Sequence, residues 1–284
     1  TTLAMRHIDA GRWTLTDPIN QYVSGWRGSD REAVTIANLL AHSSGLQAHL
    51  PLFQEQIERD AFKEKISRLP LEYTPRTMSV YSDLGFILLG FLVEDLAKES
   101  LDHQLRNMTE SCGIDDLRYL PPDSWKTRTA PTGENSLRGR RLVGEVHDDN
   151  GWALGGVAGH TGLFGSTPAV GRFARIIMSD LRGSEILVSS TTLQAFTRRT
   201  DIPNSSRALG WDTMLPTSSC GHSFSKSAIG HTGFTGTSLW IDPELDLYIV
   251  CLTNRVHDPI DNNAMQIFRP ALHDTALRAS GLID

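Results

Sequence analysis

The tyrosine at position 81 is the first residue whose surroundings suggest chemistry. Ser82 or Asp83 can cap a helix there, and apolar residues then follow at helical spacing to about Lys98. A phenol has an ordinary pKa of about 10, and the positive end of a helix dipole stabilises its ionised form. The position therefore suggests a general base, although a tyrosine that only packs against the helix entry explains the local sequence somewhat better.

A second polar centre is the hexapeptide HTGFTG at 231–236, which precedes an apolar run. Gly233 and Gly236 let another molecule approach the backbone closely. Backbone N–H groups that point at such a space can stabilise a developing oxyanion, and His231 can donate to an anionic group or share a proton. The alternative is that these glycines serve only the turn of a hairpin.

A third candidate is the glycine-rich segment 144–166, which holds seven glycines in 23 residues and precedes a predicted helix, Pro168–Leu181. This high glycine content indicates a segment packed closely against its neighbours rather than a solvated loop. The segment also contains possible metal ligands, but no two of them share a helical ligand spacing with a third donor, so we predict no metal site. These residues are His147, Asp148, Asp149 and His160.

The elements that must position these groups are clearest near the C-terminus. A strand at Thr237–Ile241, a turn at Asp242-Pro243-Glu244 and a near-continuous apolar strand at Leu247–Thr253 predict an antiparallel hairpin. Helical spacing predicts Phe53–Leu69, and also Asn263–Ser280 with Met265, Phe268 and Leu272 facing inward. Late strands and central helices together predict an α/β or α+β sandwich with a helical insert.

Four segments occur in one order: TIANLLAHSSGL (35–46), YSDLGFILLG (81–90), GGVAGHTGLF (155–164) and HTGFTGTSLWIDPE (231–244). This order resembles the serine hydrolases of the penicillin-recognising superfamily, which includes class C β-lactamases, low-molecular-weight penicillin-binding proteins, esterases and D-aminopeptidases. Residues 144–166 and 231–254 are most similar to the penicillin-binding-protein 4B-like, β-lactamase-related branch. The resemblance covers nearly the whole chain.

The resemblance implies a single domain over 1–284, built as an antiparallel sheet flanked by helices. It implies a largely helical lobe over 45–145 and a sheet-containing lobe over 146–284. It also implies that the first strands and the start of the helix that carries the nucleophile are missing from the sequence.

The resemblance also implies an acyl-transfer site made from three motifs. A Ser-x-x-Lys supplies the nucleophile, Tyr-x-Asn is matched by Tyr81 to Asp83, and Lys-Thr-Gly is matched by His231-Thr232-Gly233. In the family the serine attacks a carbonyl while the lysine and tyrosine manage its proton. The oxyanion lies between the serine's own N–H and an N–H that here belongs to Phe234. Gly155 and Gly156 are expected in the same cleft.

Three departures from this pattern change the expected chemistry. Asp83 replaces asparagine and adds a negative charge, and His231 replaces lysine, so anion recognition weakens once the imidazole loses its proton near pH 6.5. These changes favour an esterase, amidase or peptidase over a strong β-lactamase. The third departure is the Ser-x-x-Lys, which is expected just upstream of Thr1. Ser223 to Lys226 fits the spacing but lies in a Gly- and Ser-rich loop, so we interpret it as a chance match.

Two classes of function therefore stay open. The first is a serine hydrolase whose nucleophile lies outside these residues, the present chain being inactive by itself. The second is a non-catalytic pseudoenzyme that binds a peptide or acyl ligand. Either would act on a small acyl or peptide molecule, without a cofactor.

Composition limits partners and location. The net charge of -6 argues against nucleic acid, and no apolar stretch reaches the length of a membrane span. The three cysteines form no disulfide framework and no zinc spacing. The resemblance favours an extracytoplasmic or periplasmic location, while the residues themselves leave a cytoplasmic one open.

Overall fold

The computed structural model of the protein describes residues 1–55, 58–257 and 264–283. Its α-helices, in chain order, are α1 (Thr2–Asp9), α2 (Ile36–Leu40), α3 (Arg59–Arg68), α4 (Asp83–Ala97), α5 (Leu101–Ser111), α6 (Asp149–Ala153), α7 (Thr167–Leu181), α8 (Ser190–Thr197) and α9 (Ala264–Ala279). Its strands are β1 (Leu117–Tyr119), β2 (Glu134–Asn135), β3 (Arg140–Arg141), β4 (Leu163–Gly165), β5 (Asp212–Thr213), β6 (Ile229–Thr232), β7 (Ser238–Asp242) and β8 (Leu247–Cys251). Short 3₁₀ turns lie at Ile19–Gln21, Leu52–Glu55 and Asp123–Arg128.

The main sheet is antiparallel, with the strand order β5-β6-β7-β8. The predicted hairpin is present as β7 and β8, and its turn is held by the buried Asp242, whose Oδ1 accepts from the N–H groups of Glu244 and Leu245 at 3.0 Å each. Two smaller antiparallel pairs join β1 to β4 and β2 to β3. Helices combined with antiparallel sheets confirm the predicted fold class.

Helix α4 is surrounded by other helices and fixes the position of the residues that precede it. The Ser82 hydroxyl caps its start by accepting from the N–H of Gly85 at 3.1 Å, and Lys98 ends it in a left-handed conformation. Its apolar side chains are buried on most sides, against α1, α2, α3 and α5. Each large apolar side chain buried in this way contributes roughly 1.5–3 kcal/mol, so the N-terminal end of α4 is a rigid platform.

One of the small sheets contains strands from both predicted lobes. Strands β1, β2 and β3 lie within 45–145, and β1 pairs with β4, which lies beyond that range. Helix α7 packs on β7 and β8 and covers one face of the main sheet. None of the helices in the described ranges combines the length and apolar character needed to cross a membrane.

Two predicted helices differ in the structure. The prediction for Phe53–Leu69 is replaced by a 3₁₀ turn and α3, and residues 56–57 between them lie outside the described residues.

Helix α9 is present from Ala264, while residue 263 lies outside the described residues. Of the side chains predicted to face inward, Met265 is buried, Leu272 is half-buried and Phe268 is 43% exposed. His273 and Leu277 are buried instead. Apolar periodicity did not predict the buried face, because a histidine does not count as an apolar residue. His273 is buried through a polar contact from its Nδ1 to the carbonyl of Ser219 at 2.9 Å.

Candidate active site

Tyr81 and His231 meet in one cleft although they are far apart in sequence. Their ring centroids lie 5.7 Å apart, with Tyr81 just before α4 and His231 in β6. The Tyr81 side chain is 45% exposed, so its ring faces the cleft and is not a core residue. The packed start of α4 and the central strand β6 therefore bring the second and third motifs together.

His42 forms the wall behind Tyr81, and the motif search assigned it no role. Its ring lies 4.6 Å from that of Tyr81 and 4.7 Å from that of Phe86, and its Nδ1 accepts from the N–H of Ser82 at 3.0 Å. Burial, and then the nearby Arg207 and His231, hold the pKa of His42 well below its ordinary value. The neutral ring orients Tyr81 from behind, a role that a histidine beside a buried Ser-Ser-Gly turn could have suggested.

Arg207 is the second residue that the sequence analysis missed. Its Nη1 lies 3.1 Å from Nε2 of His231, and its guanidinium carbon lies 5.3 Å from the centre of the Tyr81 ring. His231 Nδ1 lies 2.8 Å from the carbonyl oxygen of Thr232. A neutral imidazole with its proton on Nδ1 satisfies both contacts, since it donates to the carbonyl and accepts from Arg207.

The imidazole of His231 loses its proton at a lower pH than the sequence predicted. Burial, and then the positive charge of Arg207, lower the pKa of His231 to about 4. The expected loss of the proton near pH 6.5 is therefore wrong. At neutral pH the positive charge beside Tyr81 comes from Arg207, which lies in the loop before β5 and has no motif around it.

The phenol of Tyr81 is also less acidic than the helix-dipole argument suggested. Loss of solvent around it raises the pKa of Tyr81, and Asp83 raises it further, whereas Arg207 acts in the opposite direction. The dipole of α4 is thus outweighed by desolvation and by the carboxylate that replaces the asparagine of the motif. Tyr81 needs another positive charge near its hydroxyl before it can accept a proton at neutral pH.

Hydrogen bonds from Gly233 and Arg269 fix the turn after β6. Gly233 donates from its N–H to the carbonyl of Thr237 at 2.8 Å, and Arg269 donates to the carbonyls of Gly233 and Thr237 at 2.8 and 3.1 Å. The Phe234 ring is 69% exposed and packs beside His147 and Arg255, at 5.8 Å from the His147 ring. Arg255 also donates to the Phe234 carbonyl, and among the described residues the Phe234 N–H has no hydrogen-bond acceptor.

Gly155 and Gly156 have a local role in the structure. Both adopt positive φ angles, 78° and 86°, and their N–H groups donate to the carbonyls of Trp152 and Gly151 at the end of α6. A Cβ on Gly156 would lie 2.7 Å from Leu120. The cavity that contains His231, Thr232 and Gly233 is lined by Thr161 and Gly162 from this segment.

The loop that holds Ser223 and Lys226 packs elsewhere. Ser223 donates from its N–H to Asp274 on α9 at 2.9 Å, and Phe224 packs against Trp240 in a second, smaller core cluster.

One further group of side chains borders Tyr81. Asp83, Asp148 and His160 place three potential ligand atoms within 4.8 Å of one another. Burial raises the pKa of Asp83. The prediction of no metal site considered only the ligand spacing within the glycine-rich segment. Asp83 lies outside that segment, so the prediction did not include this group.

Comparison with known proteins identifies the family. The family model described as Beta-lactamase matches residues 1–271, so the chain belongs to the beta-lactamase family. The predicted resemblance to this superfamily is thereby confirmed.

A curated relative from Salmonella gallinarum (strain 287/91 / NCTC 13346), named "Putative D-alanyl-D-alanine carboxypeptidase", is 28% identical over 286 residues. The match covers 89% of this chain and 66% of the relative, so the chain spans just under two thirds of that protein.

Solved structures share the fold. A penicillin-binding protein homologue from Caulobacter crescentus has a TM-score of 0.70 at 18% identity, covering 95% of this chain and 79% of its own. A beta-lactamase from Mycobacterium bovis has a TM-score of 0.64 at 20% identity, covering 98% of this chain and 82% of its own.

Proposed function

We propose that this protein is a serine-dependent acyl hydrolase that works through an acyl-enzyme, acting on a D-alanyl peptide, an amide or an ester. The observation that carries the proposal is the arrangement of Tyr81, His231 and Arg207 around one cleft. The Phe234 N–H follows three residues after His231 and has no acceptor among the described residues. The name of the Salmonella relative supports the peptidase within this range.

In this proposal Tyr81 handles the proton of the nucleophile and Arg207 stabilises the charge that develops. A phenolate that forms at Tyr81 would face the guanidinium 5.3 Å from its ring. Because that charge is already in place and is fixed by its contact with His231, little reorganisation is needed as the proton moves. His231 acts as a neutral positioning residue, tied to the backbone of β6 on one side and to Arg207 on the other.

The proposed oxyanion donor is the N–H of Phe234. The turn that presents it is fixed by Arg269 and by the Gly233–Thr237 hydrogen bond, so the donor is held in place before a substrate arrives. Preorganised donors of this kind are worth about 10²–10³ in rate each.

Charge favours a substrate with a carboxylate on the β6 side of the cleft. Arg207 is half-buried beside His231 and can bind an anionic group there, whereas Asp83 and Asp148 repel one on the other side. A peptide with a C-terminal carboxylate fits this polarity, and a neutral ester gains nothing from Arg207. We therefore rank a D-alanyl peptide above a simple ester.

The nucleophile in this proposal is the serine of a Ser-x-x-Lys, as the family resemblance implies. Residues 1–284 contain a single Ser-x-x-Lys, at Ser223, and its loop packs against α9 and Trp240. We therefore expect residues 1–284 by themselves to form no stable acyl-enzyme.

The test uses the product of the whole gene, incubated with a fluorescent penicillin and with an activated ester. Covalent labelling on a serine beside a lysine, slowed strongly by Tyr81→Phe and by Arg207→Gln, is the expected result. Tyr22→Phe is the matched control, because the Tyr22 hydroxyl bonds Asp17 away from the cleft. Failure of the whole-gene product to acylate, with retained binding of a D-alanyl peptide, would favour the non-catalytic alternative.

A further inference from the structure

A large cavity lies beside β6, between the main sheet, the first turn of α7 and the small sheet of β1 and β4. Its volume is about 810 Å³, which is within the range that accommodates a drug-sized ligand. The motif residues His231, Thr232 and Gly233 belong to its lining. The cavity is therefore continuous with the candidate active site.

The lining of this cavity is mainly apolar. Leu239 lies directly opposite His231 in the β6–β7 register, so the two side chains lie on the same face of the sheet. Leu163 and Leu252 also line the cavity, and they are 49% and 40% exposed although both are large apolar residues. Exposed apolar surface inside a concave site favours a ligand that covers it.

The two charged residues in the described part of the lining are each bound in an ion pair. Arg128 donates to both carboxylate oxygens of Asp116, at 2.8 and 2.6 Å. Glu145 accepts from Arg140 at 3.2 and 2.7 Å. A charged ligand group would have to compete with these pairs, whereas an uncharged group leaves them intact.

The two histidines of the lining are neutral at pH 7. Burial lowers the pKa of His147, and burial together with Arg207 lowers the pKa of His231 to about 4. Two hydroxyl groups of the lining are also engaged, because Thr129 and Thr253 donate to backbone carbonyls at 2.8 and 2.6 Å. The cavity consequently presents apolar surface without a charge that a ligand could pair.

From this lining we propose that the cavity binds an uncharged, apolar acyl group of the substrate, such as a medium-length alkyl chain or an aromatic ring. The carboxylate that Arg207 favours then belongs to the leaving half of the substrate and the apolar group to its acyl half. The identification of the occupant as an acyl group rests on the proposed function. The preference of the cavity for an uncharged apolar ligand does not.

The first experiment measures binding, which needs no nucleophile. Isothermal titration calorimetry uses octanamide as the probe, beside 8-aminooctanamide, which adds an ammonium group to the same chain, and acetamide, which lacks the chain. The variants are Leu163→Glu and Leu252→Glu, at exposed positions of the lining. The matched control is Ile186→Glu, at a residue that is 50% exposed in the loop between α7 and α8.

Each methylene that enters the cavity should tighten binding about fourfold, so octanamide should bind about tenfold or more tightly than acetamide. Binding should be about tenfold or more weaker for 8-aminooctanamide, and for octanamide with either glutamate variant, because a charge is then buried without a partner. Ile186→Glu should match the parent. Equal binding of octanamide and 8-aminooctanamide by the parent would overturn the proposal, even if the variants do not fold. Unchanged octanamide binding in both variants would also overturn it, because the probe would then lie elsewhere.

The second experiment tests the acyl group, with the product of the whole gene and the p-nitrophenyl esters of acetate and octanoate. The acylation rate constant should be about tenfold or more larger for the octanoate ester, and Leu252→Glu should lower it for that ester alone. Equal rate constants for the two esters in the parent would contradict the acyl assignment. If neither ester reacts, the acyl assignment fails together with the proposed function, and octanamide binding still supports the cavity as a site for an uncharged apolar ligand.

Discussion

Nη1 of Arg207 lies 3.1 Å from Nε2 of His231, and this contact sets the charge of the cleft. The motif that usually carries a lysine has a neutral imidazole here, with the positive charge supplied by a residue from another loop. The guanidinium also lies over the Tyr81 ring, so one cation faces both motif residues. With histidine in place of the motif lysine, the positive charge of the cleft is kept but comes from Arg207.

The first prediction concerns the ionisation of His231. Arg207→Gln should raise the pKa of His231 above about 4, because the second largest cause of its depression is removed while burial remains. NMR titration of the imidazole measures this shift, and Arg182→Gln on the surface should leave it unchanged. An unaltered His231 titration in Arg207→Gln would show that the guanidinium does not act on the ring.

The second prediction concerns stability against pH. The folded-state pKa values of His42 and His231 are lowered, so the unfolded chain binds more protons between pH 6.5 and 5. The free energy of unfolding should therefore fall as pH falls through this window, by about 1.4 kcal/mol per pH unit for each such histidine.

Urea titrations at several pH values measure this slope. His231→Gln should flatten it by about one proton, whereas His103→Gln on the surface should not. A slope that is the same in parent and His231→Gln would contradict the assignment of a buried neutral ring.

The third prediction concerns the wall behind Tyr81. His42→Phe keeps an aromatic ring against Tyr81 and Phe86 but leaves the N–H of Ser82 without its acceptor. Loss of a buried hydrogen-bond partner costs about 1–3 kcal/mol of unfolding free energy. Chemical denaturation measures it, with His103→Phe as the control at an exposed position. Equal stability of parent and His42→Phe would mean that stacking alone holds the ring.

The fourth prediction compares two glycines of α4. A Cβ on Gly90 would lie 2.9 Å from the backbone nitrogen of Gly159, whereas a Cβ on Gly85 would meet its nearest neighbour at an ordinary 3.7 Å. Gly90→Ala should destabilise the protein by about 1–3 kcal/mol through overpacking. Gly85→Ala should be neutral or stabilising by up to about 1 kcal/mol, since alanine favours a helix.

Thermal and urea unfolding of the two variants provide the comparison. If Gly90→Ala is as stable as Gly85→Ala, the close approach of the glycine-rich loop to α4 is wrong.

The fifth prediction concerns Ser223. Residues 1–284 should not be acylated there by an activated ester, because the Ser223 loop is tied to Asp274 and packs in the second core cluster through Phe224. Mass spectrometry of the treated chain, beside Ser223→Ala, checks this. An adduct on Ser223 that the alanine variant lacks would overturn the interpretation of this Ser-x-x-Lys as a chance match.

The sequence by itself determined the elements whose signals are local. Ser82 before an apolar helical run predicts the capped start of α4. The turn at Asp242 and the apolar run after it predict the β7–β8 hairpin, because capping and hairpin turns depend on neighbouring residues. The order of four such segments was enough to predict the family and the fold.

The tertiary structure alone decided the partners and charges of the cleft. Arg207, His42 and the Asp83–Asp148–His160 group come from segments whose sequence separation carries no periodic pattern, so only folding brings them together. The pKa of His231 likewise depends on burial and on a cation from another loop. Hydrophobic periodicity records which face of an element is apolar, but the contacts between polar groups of distant segments leave no such trace.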